Sequence, residues 1–349
     1  MEQAAAIASS MDDSTLAAQV LLTGINGRGS LTPHMRPLLE RIPVGGVMLF
    51  RFNLDTSKDD VKRLLSETSG LVAARAGIPP FLAVDHEGGL VFRFGAGVER
   101  LPSAYSFWEL AERENWDTAL TTAGTLYRRS AEEIRELGIN MVLAPVAETL
   151  SKENRIFLDT RSYGPDPVFT EAAASVYISH MDSFGITSVL KHFPGNTAID
   201  PHYDISSLMA DKNALDEMAK PFAGIIRRLD PASVMISHVM VPALDSSRNA
   251  SLSRAIIQDW LRGELGFEGI VMADDYAMGA VTALGWSHSA ATVEALNVGV
   301  DMIMVWPHNL SAVHNAILTA LRDGRLSRGR LEDAAARIIA VKLRYGIGN

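Results

Sequence analysis

Between Lys191 and His202 the chain packs a cation, two imidazoles and a carboxylate into twelve residues, Lys191-His192-Phe193-Pro194-Gly195 and then Asp200-Pro201-His202. The apolar run Ile186-Thr187-Ser188-Val189-Leu190 comes directly before them. An apolar run that ends in polar residues and a Pro-Gly turn reads as a buried strand opening into a loop. Other apolar runs end the same way, in Asp85, in His238 and in Asp274 with Asp275; Arg93 lies a few residues past its run, and Arg161 sits in Asp159-Thr160-Arg161-Ser162-Tyr163-Gly164. Each of these alone also suits a polar turn or a helix cap, Asp275 especially. Four runs with charged or imidazole ends point to one shared pocket.

The mixture of side chains narrows the chemistry. A metal site calls for His and carboxylates at ligand spacing, but Lys191 and the two arginines would repel a divalent cation. A phosphate site uses Gly-rich backbone and cations, and Asp85 and Asp274 would oppose the anion. Carboxylates mixed with Lys and Arg suit a neutral polyhydroxylated ligand, because charged groups make strong, directional hydrogen bonds to hydroxyls. A sugar fits that description; no metal and no cofactor is expected.

Strand-like and helix-like runs alternate to position these residues. Strands are expected at 45–50, 81–84, 140–145, 186–190, 233–237, 269–273 and 301–305. Between them come helices from Ser57, over about 117–137 with Gly138 as C-cap, over 167–184 with Pro167 in its first turn, and over 214–229, 255–265 and 290–297. Two further helices finish near Tyr345. The strands are continuous apolar runs, as in a parallel sheet covered on both faces. Seven or so strand–helix units predict an α/β fold of the TIM-type (β/α)8 kind, with a doubly wound sheet as the alternative; no Gly-rich nucleotide fingerprint follows the first strand. No linker or repeat is visible, so residues 1–349 read as one domain.

Composition bounds the partners. At 349 residues, 47% hydrophobic and 21% charged, the chain can bury a large core. A net charge of −9 argues against nucleic acid, which needs a basic face. No apolar run approaches the roughly 20 residues that span a bilayer. There is no cysteine, hence no disulfide and no thiol nucleophile. Met1 to Asp13 lacks a basic region followed by an apolar one, which leads to the expectation of a cytoplasmic protein, although removal of a leader would leave the same terminus.

Four segments in order resemble glycoside hydrolase family 3, in particular the single-domain β-N-acetylglucosaminidases of the NagZ type. Asp85-His86-Glu87-Gly88-Gly89 with Arg93 is similar to the family's D-x-E-G-G-x-V-x-R. Ala144-Pro145-Val146 precedes Arg161-Ser162-Tyr163, Lys191-His192-Phe193-Pro194-Gly195 matches K-H-F-P-G, and Leu265 to Asp275 resembles E-L-G-F-x-G-[IV]-[IV]-x-[ST]-D-D. The resemblance implies that Asp274 is the nucleophile and that His202, paired with Asp200, is the general acid/base on a mobile loop. It implies that Asp85, Arg93, Arg161, Lys191 and His192 hold the hydroxyl and acetamido groups of the terminal sugar. The implied activity is release of terminal β-linked N-acetylglucosamine from peptidoglycan fragments, with retention. Two departures stand out: the loop Asn196-Thr197-Ala198-Ile199 is about two residues short, and Ala273 replaces a Ser or Thr before the nucleophile. A family 3 phosphorylase, a β-glucosidase and a non-catalytic sugar-binding protein are the alternatives. His238 reads either as pocket lining or as a core histidine, and Met278 as pocket wall. Tryptophans 108, 116, 260, 286 and 306 read as packing rather than as a sugar platform.

Overall fold

In the computed structural model, which describes residues 1–95 and 97–348, eight short apolar runs lie side by side and close into one parallel barrel. The strands are β1 (Leu21–Gly24), β2 (Gly46–Leu49), β3 (Phe81–Val84), β4 (Met141–Val142), β5 (Thr187–Phe193), β6 (Ser233–Ile236), β7 (Ile270–Ala273) and β8 (Met302–Val305). Each pairs with its sequence neighbours, and β1 closes the ring against β8 with Leu21 beside Ile303. Strand residues are buried apart from the half-buried Met304, which explains why the runs do not alternate. The surrounding helices start and stop on local signals. Asn115 Oδ1 accepts the Thr118 N–H at 2.8 Å to begin Trp116–Leu137, and Gly138 ends it at φ 98°. Asp166 caps Pro167–Ser183, with proline in its first turn.

The barrel agrees with the fold expected from the sequence, with four corrections. The strand missed was β1: its run follows the helix Asp13–Gln19 without a Gly or Pro, so a short apolar stretch there cannot be told from more helix. Lys191 and His192 do not follow β5 but belong to it, and the register with β6 shifts between Lys191 and Phe193. The single helix expected over 214–229 is two, Lys212–Met218 and Lys220–Leu229, whereas the helix expected over 255–265 forms as a π-helix at Ala255–Glu264.

The end of the barrel away from the candidate site is held by charge. The buried Asp301, just before β8, accepts Arg262 Nη2 at 2.6 Å, Arg330 Nη2 at 2.9 Å and the Val271 N–H of β7 at 2.9 Å. That carboxylate ties the base of β7 to two surrounding helices. Among the described residues, no helix is long and apolar enough to cross a membrane.

Candidate active site

The C-terminal ends of β3, β4 and β5 build a charged clamp. Successive strand residues face opposite sides, so Asp85 and Glu87, two apart just beyond β3, turn the same way. Asp85 accepts Arg93 Nη2 through one oxygen and Lys191 Nζ through the other, each at 3.2 Å. Glu87 takes Arg161 Nε at 2.8 Å and Nη2 at 2.9 Å in a two-pronged pair, and lies 2.7 Å from Lys191 Nζ. Burial would raise the Glu87 carboxyl, but Lys191 and Arg161 outweigh it and hold the group far below the usual carboxylate range. Glycine is required just after: Gly88 has φ 89°, and a Cβ there would run into the backbone of Pro102.

His192 follows Lys191 along β5, yet both line the same cavity. The register shift between Lys191 and Phe193, which brackets His192, is the kind of irregularity that re-aims a side chain. Its Nδ1 lies 2.6 Å from Glu148 Oε1, and Glu148 also accepts the Asn196 N–H at 2.6 Å and Asn196 Nδ2 at 2.9 Å. A buried carboxylate thus orients the ring and fastens the start of the next loop.

That loop crosses the barrel mouth. The His202 carbonyl accepts the Gly279 N–H, and the Pro201 carbonyl the Ala280 N–H, both at 3.0 Å, so the segment after β5 rests on the segment after β7. Asp200 Oδ1 accepts the His202 N–H at 2.9 Å and lies 2.7 Å from its Nδ1. An ionised carboxylate only accepts, so the pair puts a hydrogen on Nδ1 and leaves Nε2 to exchange protons.

Asp274 stands at the end of β7, its Oδ1 accepting the Asp275 N–H at 2.8 Å. Burial works against its charge, but His238, that N–H, His192 and His202 prevail and hold the carboxyl below its ordinary value. Burial pushes His238 down to about 4. It is therefore a neutral ring near pH 7 and becomes a cation only in acid. Lys191, Arg93 and Arg161 are engaged by Asp85 and Glu87, and histidines with a backbone amide hold Asp274 ionised instead. Asp275, read as a possible helix cap, accepts the Ala277 N–H at 2.9 Å inside its own loop. Burial, opposed by that N–H and reinforced by Asp274, pushes Asp275 up to about 6.

Asp85, Arg93, Arg161, Lys191, His192, His202 and Asp274 line one cavity of about 310 Å³, with Asp200 behind His202. His238 and Met278 line it as well; the His238 Nδ1 meets Ser251 Oγ at 2.7 Å, and its Nε2 has no partner among the described residues. Glu87, Glu148 and Phe50 were not singled out from sequence, and Trp306 was read there as packing. Glu87 carried a usable signal, two residues beyond Asp85. Glu148 lies in irregular chain after β4, where no periodicity marks it. Trp260 is core, whereas Trp306 lies at the cavity, stacked on Phe50 with centroids 4.8 Å apart.

Similarity to known proteins agrees with this geometry. The family described as glycosyl hydrolase family 3 N terminal domain matches residues 19–341. A beta-hexosaminidase of Stenotrophomonas maltophilia is 34% identical over 330 residues, 89% of this chain and 92% of its own. A glycoside hydrolase family 3 beta-N-acetylglucosaminidase from a Paenibacillus species superposes with a TM-score of 0.89 at 27% identity, covering 97% of this chain; this chain spans 64% of that one. A family 3 glycosyl hydrolase from Mycobacterium smegmatis gives 0.81 at 26% identity, covering 96% and 98%. With a barrel of that shape, a charged cavity at its mouth and a family match across most of its length, the chain belongs to glycosyl hydrolase family 3 and is a glycoside hydrolase.

Proposed function

We propose that the protein is a retaining exo-β-N-acetylglucosaminidase, residues 1–349 acting as one barrel unit. The observation that carries this reading is that Asp274 and His202, backed by Asp200, open onto the same cavity as the clamp. The names of the similar proteins, beta-hexosaminidase and beta-N-acetylglucosaminidase, support the choice of sugar. Asp85, Arg93, Arg161, Lys191 and His192 bind the hydroxyl and acetamido groups of the terminal residue. An oxygen of ionised Asp274 attacks C1, the bond to the leaving oxygen breaks, and His202 Nε2 delivers the proton that oxygen needs. Water then enters the same face that the leaving group vacated. His202 takes a proton from it, the C1–Asp274 bond breaks, and the β-configuration is restored.

The finer substrate, a peptidoglycan-derived fragment, and a cytoplasmic place of work follow from the sequence resemblance and are part of the proposal. Release of 4-nitrophenol and N-acetylglucosamine from the aryl β-N-acetylglucosaminide tests the activity. Asp274→Ala should abolish it, and a 2-fluoro sugar should label Asp274. His202→Ala should cost far more on alkyl glycosides than on activated aryl ones, which leave without a proton; equal losses would remove His202 from the acid role. Appearance of the sugar phosphate in phosphate buffer would replace hydrolase with phosphorylase. Saturable binding without turnover would leave a sugar-binding protein.

A further inference from the structure

The cavity wall is divided by chemistry. The ends of β3, β4 and β5 supply the charged clamp, and β7 supplies Asp274. The sector between, at the ends of β8 and β2, presents Met304, Trp306, Met48 and Phe50, without a charged side chain among them. Three aromatic rings form a ladder there. Trp306 stacks on Phe50 with centroids 4.8 Å apart and planes 15° from parallel, and Phe50 stacks on Phe52 at 6.0 Å and 10°. Phe50, the middle ring, is half-buried, while Trp306 is 36% exposed at the cavity and Phe52, beyond the residues that line it, is 46% exposed. Packing alone does not account for large flat rings left open to water at the rim of a cavity.

Position decides what the ladder meets. If C1 of the terminal sugar lies over Asp274 at β7 and the hydroxyls on its far side are held at β3 to β5, the C1 substituent must point away from the clamp. It leaves toward the sector where β8 and β2 end. We infer that Trp306, with Phe50 and Phe52, is a stacking platform for the leaving group and selects substrates in which that group is itself a ring with an apolar face, such as a second pyranose. The inference rests on the hexosaminidase reading above. A pyranose shows one face of axial C–H bonds, and these lie well on an aromatic ring, whose face carries the negative end of its quadrupole.

The test compares two substrates that share the terminal sugar and differ in the leaving group: the β-1,4-linked disaccharide of N-acetylglucosamine, which has a second ring, and the β-N-acetylglucosaminyl azide, which has none. The readout is the ratio of kcat/KM on the disaccharide to kcat/KM on the azide, for wild type, Trp306→Ala, Trp306→Phe and Phe52→Ala. The ratio should fall ten-fold or more in Trp306→Ala, mainly through KM, fall several-fold in Phe52→Ala, and stay close to wild type in Trp306→Phe, which keeps a ring. Phe52→Ala, at an exposed position, guards against loss of fold in the tryptophan variant. An unchanged ratio in both alanine variants would overturn the platform, as would an equal fall on both substrates, which would make Trp306 a wall for the terminal sugar. Wild type that releases N-acetylglucosamine from neither substrate would instead overturn the hexosaminidase reading itself, and this inference with it.

Discussion

Asp274 and Asp275 are adjacent carboxylates that the surrounding residues treat in opposite ways. Histidines and a backbone amide hold Asp274 below its ordinary value, while burial and the neighbouring Asp274 push Asp275 up to about 6. A carboxyl raised in the folded state adds stability that is complete below its unfolded value near 4 and is lost as pH climbs through 6. Asp275→Asn, which cannot ionise, should therefore gain on wild type as pH rises, by roughly 1–3 kcal/mol between pH 4 and pH 8. Paired urea unfolding curves at the two pH values measure it, and a constant difference would refute the assignment. At this scale the sequence was informative wherever a charge directly followed an apolar run, as with Asp85, His238 and Asp274. Glu148, which orients His192 from irregular chain, and Trp306, whose exposure only the packed barrel reveals, had no such marker.

The decisive element is the segment after β5. Its backbone is fastened at one end by Glu148 through Asn196 and at the other by the Gly279 and Ala280 amides, so His202 is carried by a strap rather than a free loop. Gly279 matters because a methyl group there would strike the Tyr203 backbone. Gly279→Ala should lift the strap and reproduce the pattern of His202→Ala: a large loss on alkyl glycosides, a small one on activated aryl glycosides, and a folded barrel by circular dichroism. A uniform loss on both would show that the contact serves something other than proton delivery. The strap was legible as Asp200-Pro201-His202, but its docking was not, because Gly279 lies 77 residues beyond His202 in sequence. For the same reason β1 escaped notice, since its identity as a strand depends on pairing with β8 at the other end of the chain.

Over the whole molecule, chemistry and cohesion occupy opposite ends of the barrel. Lys342 is fully buried, with Nζ 3.0 Å from Gln19 Oε1 and 5.4 Å from the Phe81 ring centre, and burial pushes its ammonium down to about 7. The unfolded chain then binds more protons than the folded one between about 7 and its ordinary value of 10.5, so stability from this group grows with pH across that window and is lost as pH falls through it. Lys342→Met should remove a slope of up to ~1.4 kcal/mol per pH unit from that range, read from urea midpoints at pH 7 and pH 9. Parallel slopes in variant and wild type would mean that the amine stays protonated when folded.

Asp301 sharpens the same division. The nucleophile sits at the top of β7, and the base of that strand is moored by a carboxylate holding two arginines and a main-chain amide. Loss of that mooring would leave two cations stranded in the interior, an expensive arrangement to fold around. Inherited changes there would surface as scarce protein, cleared by cellular quality control, while the surviving molecules turned over at the normal pace.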